Sequence, residues 1–293
     1  MPLKMLKTDD GTTLHIERNL YTKRYVLEVN RDTCKGCATC EQLCHTGAIT
    51  VEPRDKEVID GKERAVKAWI DINETLCDHC GMCEGICPYN AITHTVNDEP
   101  IILVVEKGSF PQYIREVEID ESKLDKSHVE TDGCPLHLIT VTANDNAKAE
   151  LDLDHCPCCT VCETTYPTGA FTVSPIFRGE IDIHQEKCPD GCQDCFDVCP
   201  IDGALELHDD GKVYPFDRFC IYCGACVKVC PEPEALEVIR YSMRHTPVKS
   251  GAWNKALETL TDISGYEREI RARRTAKLME AVQRRDGTFK EEE

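Results

Sequence analysis

Four stretches of this chain set cysteines at C-x2-C-x2-C-x3-C spacing or within one residue of it. They are CKGCATCEQLCH from Cys34, CDHCGMCEGICP from Cys77, CPDGCQDCFDVCP from Cys188 and CIYCGACVKVCP from Cys220. Thiolates in this pattern suit a [4Fe–4S] cube. The cube offers four iron corners in a tetrahedron. Three thiolates two residues apart on a winding loop reach three of them, and the loop also aims backbone N–H groups at sulfur. The fourth corner faces away and needs a cysteine from elsewhere. A proline after that cysteine fixes φ and turns the chain off the cluster. The third run has one extra residue in its first gap, and His45 stands where the first run would have its proline.

Two degenerate copies lie between these runs. HCPCCTVCETTYP keeps Cys156, Cys159 and Cys162 but has Tyr166 at the fourth position. Upstream, VEIDESKL has the short alternating strand that precedes the other runs, and places Leu124, Ser127 and Glu130 at the first three positions with Cys134-Pro135 at the fourth. Run starts then fall at 124, 156, 188 and 220, a constant interval of 32. In proteins that pair two such runs, the fourth cysteine of each ligates the cluster of the other. The swap sorts twenty of the 21 cysteines into five sets. Cys34, Cys37 and Cys40 take Cys87; Cys77, Cys80 and Cys83 take Cys44. Cys156, Cys159 and Cys162 take Cys134. Cys188, Cys192 and Cys195 take Cys230; Cys220, Cys223 and Cys226 take Cys199. The sixth set, Leu124, Ser127, Glu130 and Tyr166, has no thiol, so one site is erased and filled by packing with Leu124 as core. Cys158 is left over and reads as a passive thiol.

Other metal chemistry fits less well. Zinc ribbons close with two C-x2-C pairs, not with runs of four ending in proline. His45, His79 and His155 lie beside cluster ligands and read as surface or neighbouring groups, because every set already has four thiolates. A disulfide framework belongs to oxidising compartments. The first twenty residues lack an apolar run and no stretch approaches ~18 apolar residues, so the expectation is a reduced, cytoplasmic protein with no membrane insertion. The formal charge of −19 excludes nucleic acid as a natural partner, since phosphate contacts need clustered Lys and Arg. Neither a P-loop nor a dinucleotide glycine fingerprint is present, and no nucleophile arrangement points to a catalytic site.

The elements that must position these loops are short. Each run is preceded by a strand and followed by another: AITV at 48–51, AITH at 91–94, LITV at 138–141, AFTV at 170–173, ALEL at 204–207 and ALEV at 235–238. Strand, loop, short helix, strand, repeated six times, predicts an α+β chain of three tandem two-cluster modules. The expected boundaries are a lead-in at 1–30, modules at 31–110, 111–183 (one cluster retained) and 184–240, and a helical tail at 241–293. Residues 52–67 read as a charged surface hairpin or loop, and IILVVE at 101–106 as a buried strand ending in a turn at 108–111. In the tail, Trp253, Leu257 and Leu260, then Ile270, Leu278 and Val282, have helical spacing, with Gly265 a break between two helices. So few large apolar residues suit a partner's surface. Modules this small have too little chain for a self-sufficient core, so ligation must supply much of the folding free energy.

With these runs the chain resembles an archaeal polyferredoxin, the likeness covering about 31–240. It is most similar to the polyferredoxin component of tungsten or molybdenum formylmethanofuran dehydrogenase, whose last CPEPEALEV-like run is also followed by a helical tail. It departs from that component in having three modules rather than four and in the erased site. The resemblance implies an electron-transfer subunit with five [4Fe–4S] clusters. It also implies protein partners in a redox enzyme complex, docked through the C-terminal tail. Polyferredoxins of hydrogenases or of heterodisulfide reductase assemblies are the alternatives. A structural or metal-sensing iron–sulfur protein is the alternative of another class.

Overall fold

The computed structural model describes residues 4–124, 127, 133–143, 147–261, 271, 275 and 279. Its architecture is a small α+β fold of short antiparallel strand pairs and helices. One wiring of strand pairs recurs three times. Arg24–Asn30 pairs with Ile92–Val96, enclosing Ile49–Glu52 with Trp69–Ile72. Glu116–Ile119 pairs with Phe171–Ser174, enclosing Ile139–Ala143 with Ala147–Leu151. Phe177–Ile183 pairs with Leu236–Met243, enclosing Leu205–Leu207 with Val213–Pro215. In each stretch the strand before the first loop meets the strand after the second, and this brings the two loops together.

Alternation within the strands sends alternate side chains inward. Ile49 faces Ile72 and Val51 faces Ile70 across one pair, all buried; Ile183 faces Leu236 and Ile181 faces Val238 across another. Such cross-strand aliphatic pairs are the unit of stability in small sheets. The first stretch is widened by Lys4–Asp9 and Thr13–Asn19 into a five-stranded sheet, which buries Leu14 and Ile16. Residues 52–67 form an exposed hairpin, Glu57–Ile59 with Lys62–Arg64.

Two expectations are corrected in part. Residues 101–106 are not a buried strand: Leu103–Glu106 is a one-turn helix, half exposed. It caps the loop before it, with Val104 N–H donating to the Cys80 carbonyl and the Ile102 side chain filling the space above Gly81. The beginning of the tail also packs inward. Gly251–Leu260 is a helix whose Trp253 and Leu260 are buried in the chain's own core, and the Trp253 ring meets Phe110 edge-on at 5.2 Å. The break at Gly265 and the residues Ile270, Leu278 and Val282 lie outside the described residues. Of that region Arg271 is described, and it donates 2.8 Å to the Cys230 carbonyl.

Candidate metal centres

The loops wind as the spacing requires. In every cysteine-bearing triplet the residue before the second cysteine has positive φ: Gly36 68°, His79 59°, Cys158 58°, Gly191 71° and Tyr222 50°. That turn points its N–H back at the first sulfur; Cys158 N–H lies 3.4 Å from Cys156 Sγ and Tyr222 N–H 3.3 Å from Cys220 Sγ. Fourth cysteines are treated alike, with Ala48 N–H 3.2 Å from Cys44 Sγ and Ala91 N–H 3.3 Å from Cys87 Sγ. A thiolate that accepts such bonds keeps its charge more readily. A non-glycine residue at positive φ costs of order 1–3 kcal/mol, so His79, Cys158 and Tyr222 are held there by their surroundings.

Strand pairing then closes four cavities between loops. Cys34, Cys37, Cys40 and Cys87 line one, and Cys44, Cys77, Cys80 and Cys83 another. Cys134 with Cys156, Cys159 and Cys162 line a third, and Cys199 with Cys220, Cys223 and Cys226 a fourth. The empty space at each, with the open solvent at its mouth included, is about 350, 370, 350 and 370 Å³ respectively. Equal volumes walled by the same donors at four separate places call for one guest repeated four times. The remaining set is more open. Cys195 feels the charges of Cys230, Cys192 and Cys188, but only Cys188 and Cys192 line the wider, 620 Å³ opening there, with Asp190, Asp210 and Lys212.

The donor chemistry fits an iron–sulfur core. Burial first, and the neighbouring sulfurs after it, push Cys162 and Cys195 up to about 12. Burial likewise pushes Cys80, Cys87, Cys159 and Cys199 up to about 12, and Cys40, Cys83 and Cys226 well above the ordinary thiol range. Thiols pushed up in this way stay protonated unless a cation replaces the protons. Side-chain oxygens, which calcium or magnesium would need, reach these walls only from Thr46, Asp78, Thr39, Thr160 and the phenols of Tyr89 and Tyr222.

The erased set behaves differently. Leu124 and Tyr166 are 7% and 3% exposed and belong to one apolar cluster with Val141, Ala170 and Phe171. The Tyr166 ring lies 4.7 Å from that of Phe171 and covers Gly133, where a Cβ would come within 2.2 Å of it. Ser127 is exposed, and Glu130 lies outside the described residues. Cys158 is buried at 1% exposure in the positive-φ position of its loop; a sequence reading could have placed it by aligning it with Gly36, Gly191 and Tyr222. Of the flanking histidines, His155 pairs with Asp152 at 2.8 Å and His45 with Asp78 at 3.0 Å. His45, Asp78 and Cys80 come close enough together to hold one ion, although Cys80 also lines a cysteine cavity. His79 is buried against His94, rings 5.7 Å apart, and burial lowers its pKa to about 4. That buried histidine pair was not legible in the sequence.

Two stretches match family models described as a 4Fe-4S dicluster domain, residues 28–96 and 180–231. Among solved structures, the chain resembles one in the formate dehydrogenase–heterodisulfide reductase–formylmethanofuran dehydrogenase complex of Methanospirillum hungatei. The TM-score is 0.74 with 28% identity, over 89% of this chain and 92% of that one. It is 31% identical over 105 residues to the polyferredoxin protein MvhB of Methanothermobacter marburgensis, which is 33% of this chain and 24% of that protein. It is also 32% identical over 95 residues to the ferredoxin-type protein NapH of Haemophilus influenzae, 31% of each. The chain thus spans a quarter to a third of the length of these curated relatives. Its character is that of an iron–sulfur, ferredoxin-type electron-transfer protein, homologous to a non-catalytic subunit of redox complexes. Among the described residues no helix is long and apolar enough to cross a membrane.

Proposed function

We propose that this chain is a low-potential electron relay inside a larger oxidoreductase assembly, holding five [4Fe–4S] clusters in three modules. The modules are 31–110, 111–183 and 184–240, and the ligand sets are the five given above. One observation carries the reading: four cavities of similar size, each walled by three cysteines of one loop and the fourth cysteine of its partner loop, with Cys40 and Cys158 also reaching one of them each. The cluster, when bound, supplies one-electron redox chemistry. The residues do the rest. Apolar walls such as Ile49, Ile72, Val51 and Ile70 exclude water, backbone N–H groups aimed at sulfur set potential, and the short loops hold neighbouring sites close. Cys188, which lines the wider opening with Asp190, Asp210 and Lys212, suits exchange with a partner at the surface.

The assembly we propose contains formylmethanofuran dehydrogenase, on the strength of a likeness that extends over nearly the whole of both chains. A hydrogenase-linked or heterodisulfide reductase assembly is the second reading, the latter enzyme being named in the same complex as the resembling chain. Docking falls to the tail beyond Thr261. Anaerobic purification tests the first claim: about twenty iron atoms per chain and a brown colour bleached by dithionite are expected for five cubes. Iron near twenty-four, or zinc in place of iron, refutes it. Co-purified subunits identified under the same conditions decide between the assemblies.

A further inference from the structure

Modules strung in series would touch only their neighbours, but the contacts between the three stretches close a triangle. The first and middle stretches are joined by Arg115, which donates to the Cys87 carbonyl at 3.1 Å and to the Cys156 carbonyl at 3.1 Å. First and last are joined by Arg240, 1% exposed, which donates to the Cys223 carbonyl at 2.9 Å and to Thr39 Oγ1 at 3.3 Å. Thr39 Oγ1 in turn lies 3.4 Å from Cys37 Sγ. Middle and last are joined by Thr160, whose hydroxyl donates to the Arg218 carbonyl at 2.9 Å. A linear arrangement would leave one of these three junctions without a contact.

At the centre of the triangle Cys37, Cys223, Cys159 and Cys199 share one packed cluster with Tyr89, Leu136 and Ile201. Those three side chains occupy the same place in their runs, two residues after the fourth cysteine: Cys87, Cys134 and Cys199. At the other runs that place is polar, Thr46, Thr168 and Glu232, and none of these joins the packed cluster. Tyr89 differs from its two equivalents in carrying a hydroxyl. The residue is 2% exposed, and its hydroxyl faces the Cys223 sulfur without a full hydrogen bond to it. A buried hydroxyl short of a full hydrogen bond costs free energy, and the sulfurs of Cys223, Cys37 and Cys199 are the charges it feels.

We propose that the three sites held by Cys34/37/40/87, Cys134/156/159/162 and Cys199/220/223/226 form a three-way electron junction, with Tyr89 at its centre donating its hydroxyl to the Cys223 thiolate. This rests on the cluster reading above. The through route then runs from the Cys44/77/80/83 site by way of the junction to the Cys188/192/195/230 site. The middle module's single retained site is a side branch of that route. Each transfer moves one electron, oxidising one site and reducing the next, with no bond or proton exchanged. The erased site lies off this route, so its loss does not interrupt it.

The test uses the full chain loaded with iron and sulfide, read by electron paramagnetic resonance. Removing the middle site with C134A and C156A should cost about four iron atoms and slow the spin relaxation of both other junction sites. Slower relaxation at only one of them, or at neither, overturns the junction. A donor to sulfur stabilises the reduced, more negative state, so Y89F should lower the one-electron reduction constant of the Cys223 site about tenfold, which is ~59 mV. Unchanged potentials with full iron overturn the role of Tyr89. Should Y89F lose iron, the C134A/C156A comparison decides the junction by itself. Fewer than five clusters in the unaltered chain refutes the cluster reading instead, so the two failures are distinguishable.

Discussion

Lys228 and Glu41 make an ion pair of 2.7 Å with side chains 2% and 5% exposed, joining the short helix Ala225–Val229 of the last stretch to Thr39–Leu43 of the first. Glu41 also accepts the Val51 N–H at 3.1 Å. Replacing the lysine alone, as K228M, takes from the buried carboxylate the ammonium 2.7 Å from it. Breaking a buried pair from one side costs about 3–5 kcal/mol. If the whole loss falls on the unfolding barrier, that is an acceleration of roughly two to four powers of ten. The assay is the rate at which visible cluster absorbance bleaches in fixed guanidinium under strict anaerobiosis. K228M should bleach at least tenfold faster. The double variant E41Q/K228M removes both charges yet keeps an oxygen for Val51, and should recover most of the loss. An effect of K228M below about fivefold, the size of an exposed pair, refutes the reasoning. So does a double variant no slower than the single.

Other outcomes follow from the same geometry. C134A should lower iron by about four atoms per chain, whereas C158S should leave iron content and spectrum unchanged, because Cys158 is the turn residue of its loop and not a member of the set; metal analysis checks both. G36A should weaken the first site, since φ is +68° and a Cβ there would lie 2.7 Å from the Ala68 carbonyl oxygen; the expected sign is faster bleaching of one cluster in five, seen in the same guanidinium assay. Y166C should not raise iron above the parent value, because Leu124 and Ser127 supply no companion thiolates. Stripping iron with a chelator should collapse the far-ultraviolet circular dichroism, as ligation contributes much of the folding free energy.

Much of this organisation was legible in the sequence. The interval of 32 pointed to the degenerate copy at Leu124, and the swap of fourth cysteines grouped Cys134 with Cys156, Cys159 and Cys162, which line one cavity together with Cys158. Flanking strands were legible because alternation of Ile, Val and Thr has a period of its own. What failed had no period. Residues 101–106 are apolar enough for a strand, yet Leu103–Glu106 turns into a helix that packs on the Cys80–Gly81 loop. Trp253 read as a docking residue because its pocket is built by Phe110 and His245, which no local pattern connects to it. Contacts between the stretches rest on single side chains such as Arg115, Arg240 and Thr160. The residue two after each fourth cysteine was the one available signal for them: apolar or aromatic at the junction, polar elsewhere.

The tyrosine plug also bears on how such a chain comes into being. On the proposed reading the cysteine sets stay unfinished until metal arrives, whereas the patch of Leu124, Val141, Ala149, Tyr166, Ala170 and Phe171 is complete with carbon alone. Its two strand pairs can therefore close early, during or soon after synthesis, and already hold Cys134 beside the loop of Cys156 while iron is scarce. On that reading a place without thiols becomes a seed, the part of the molecule from which loading starts.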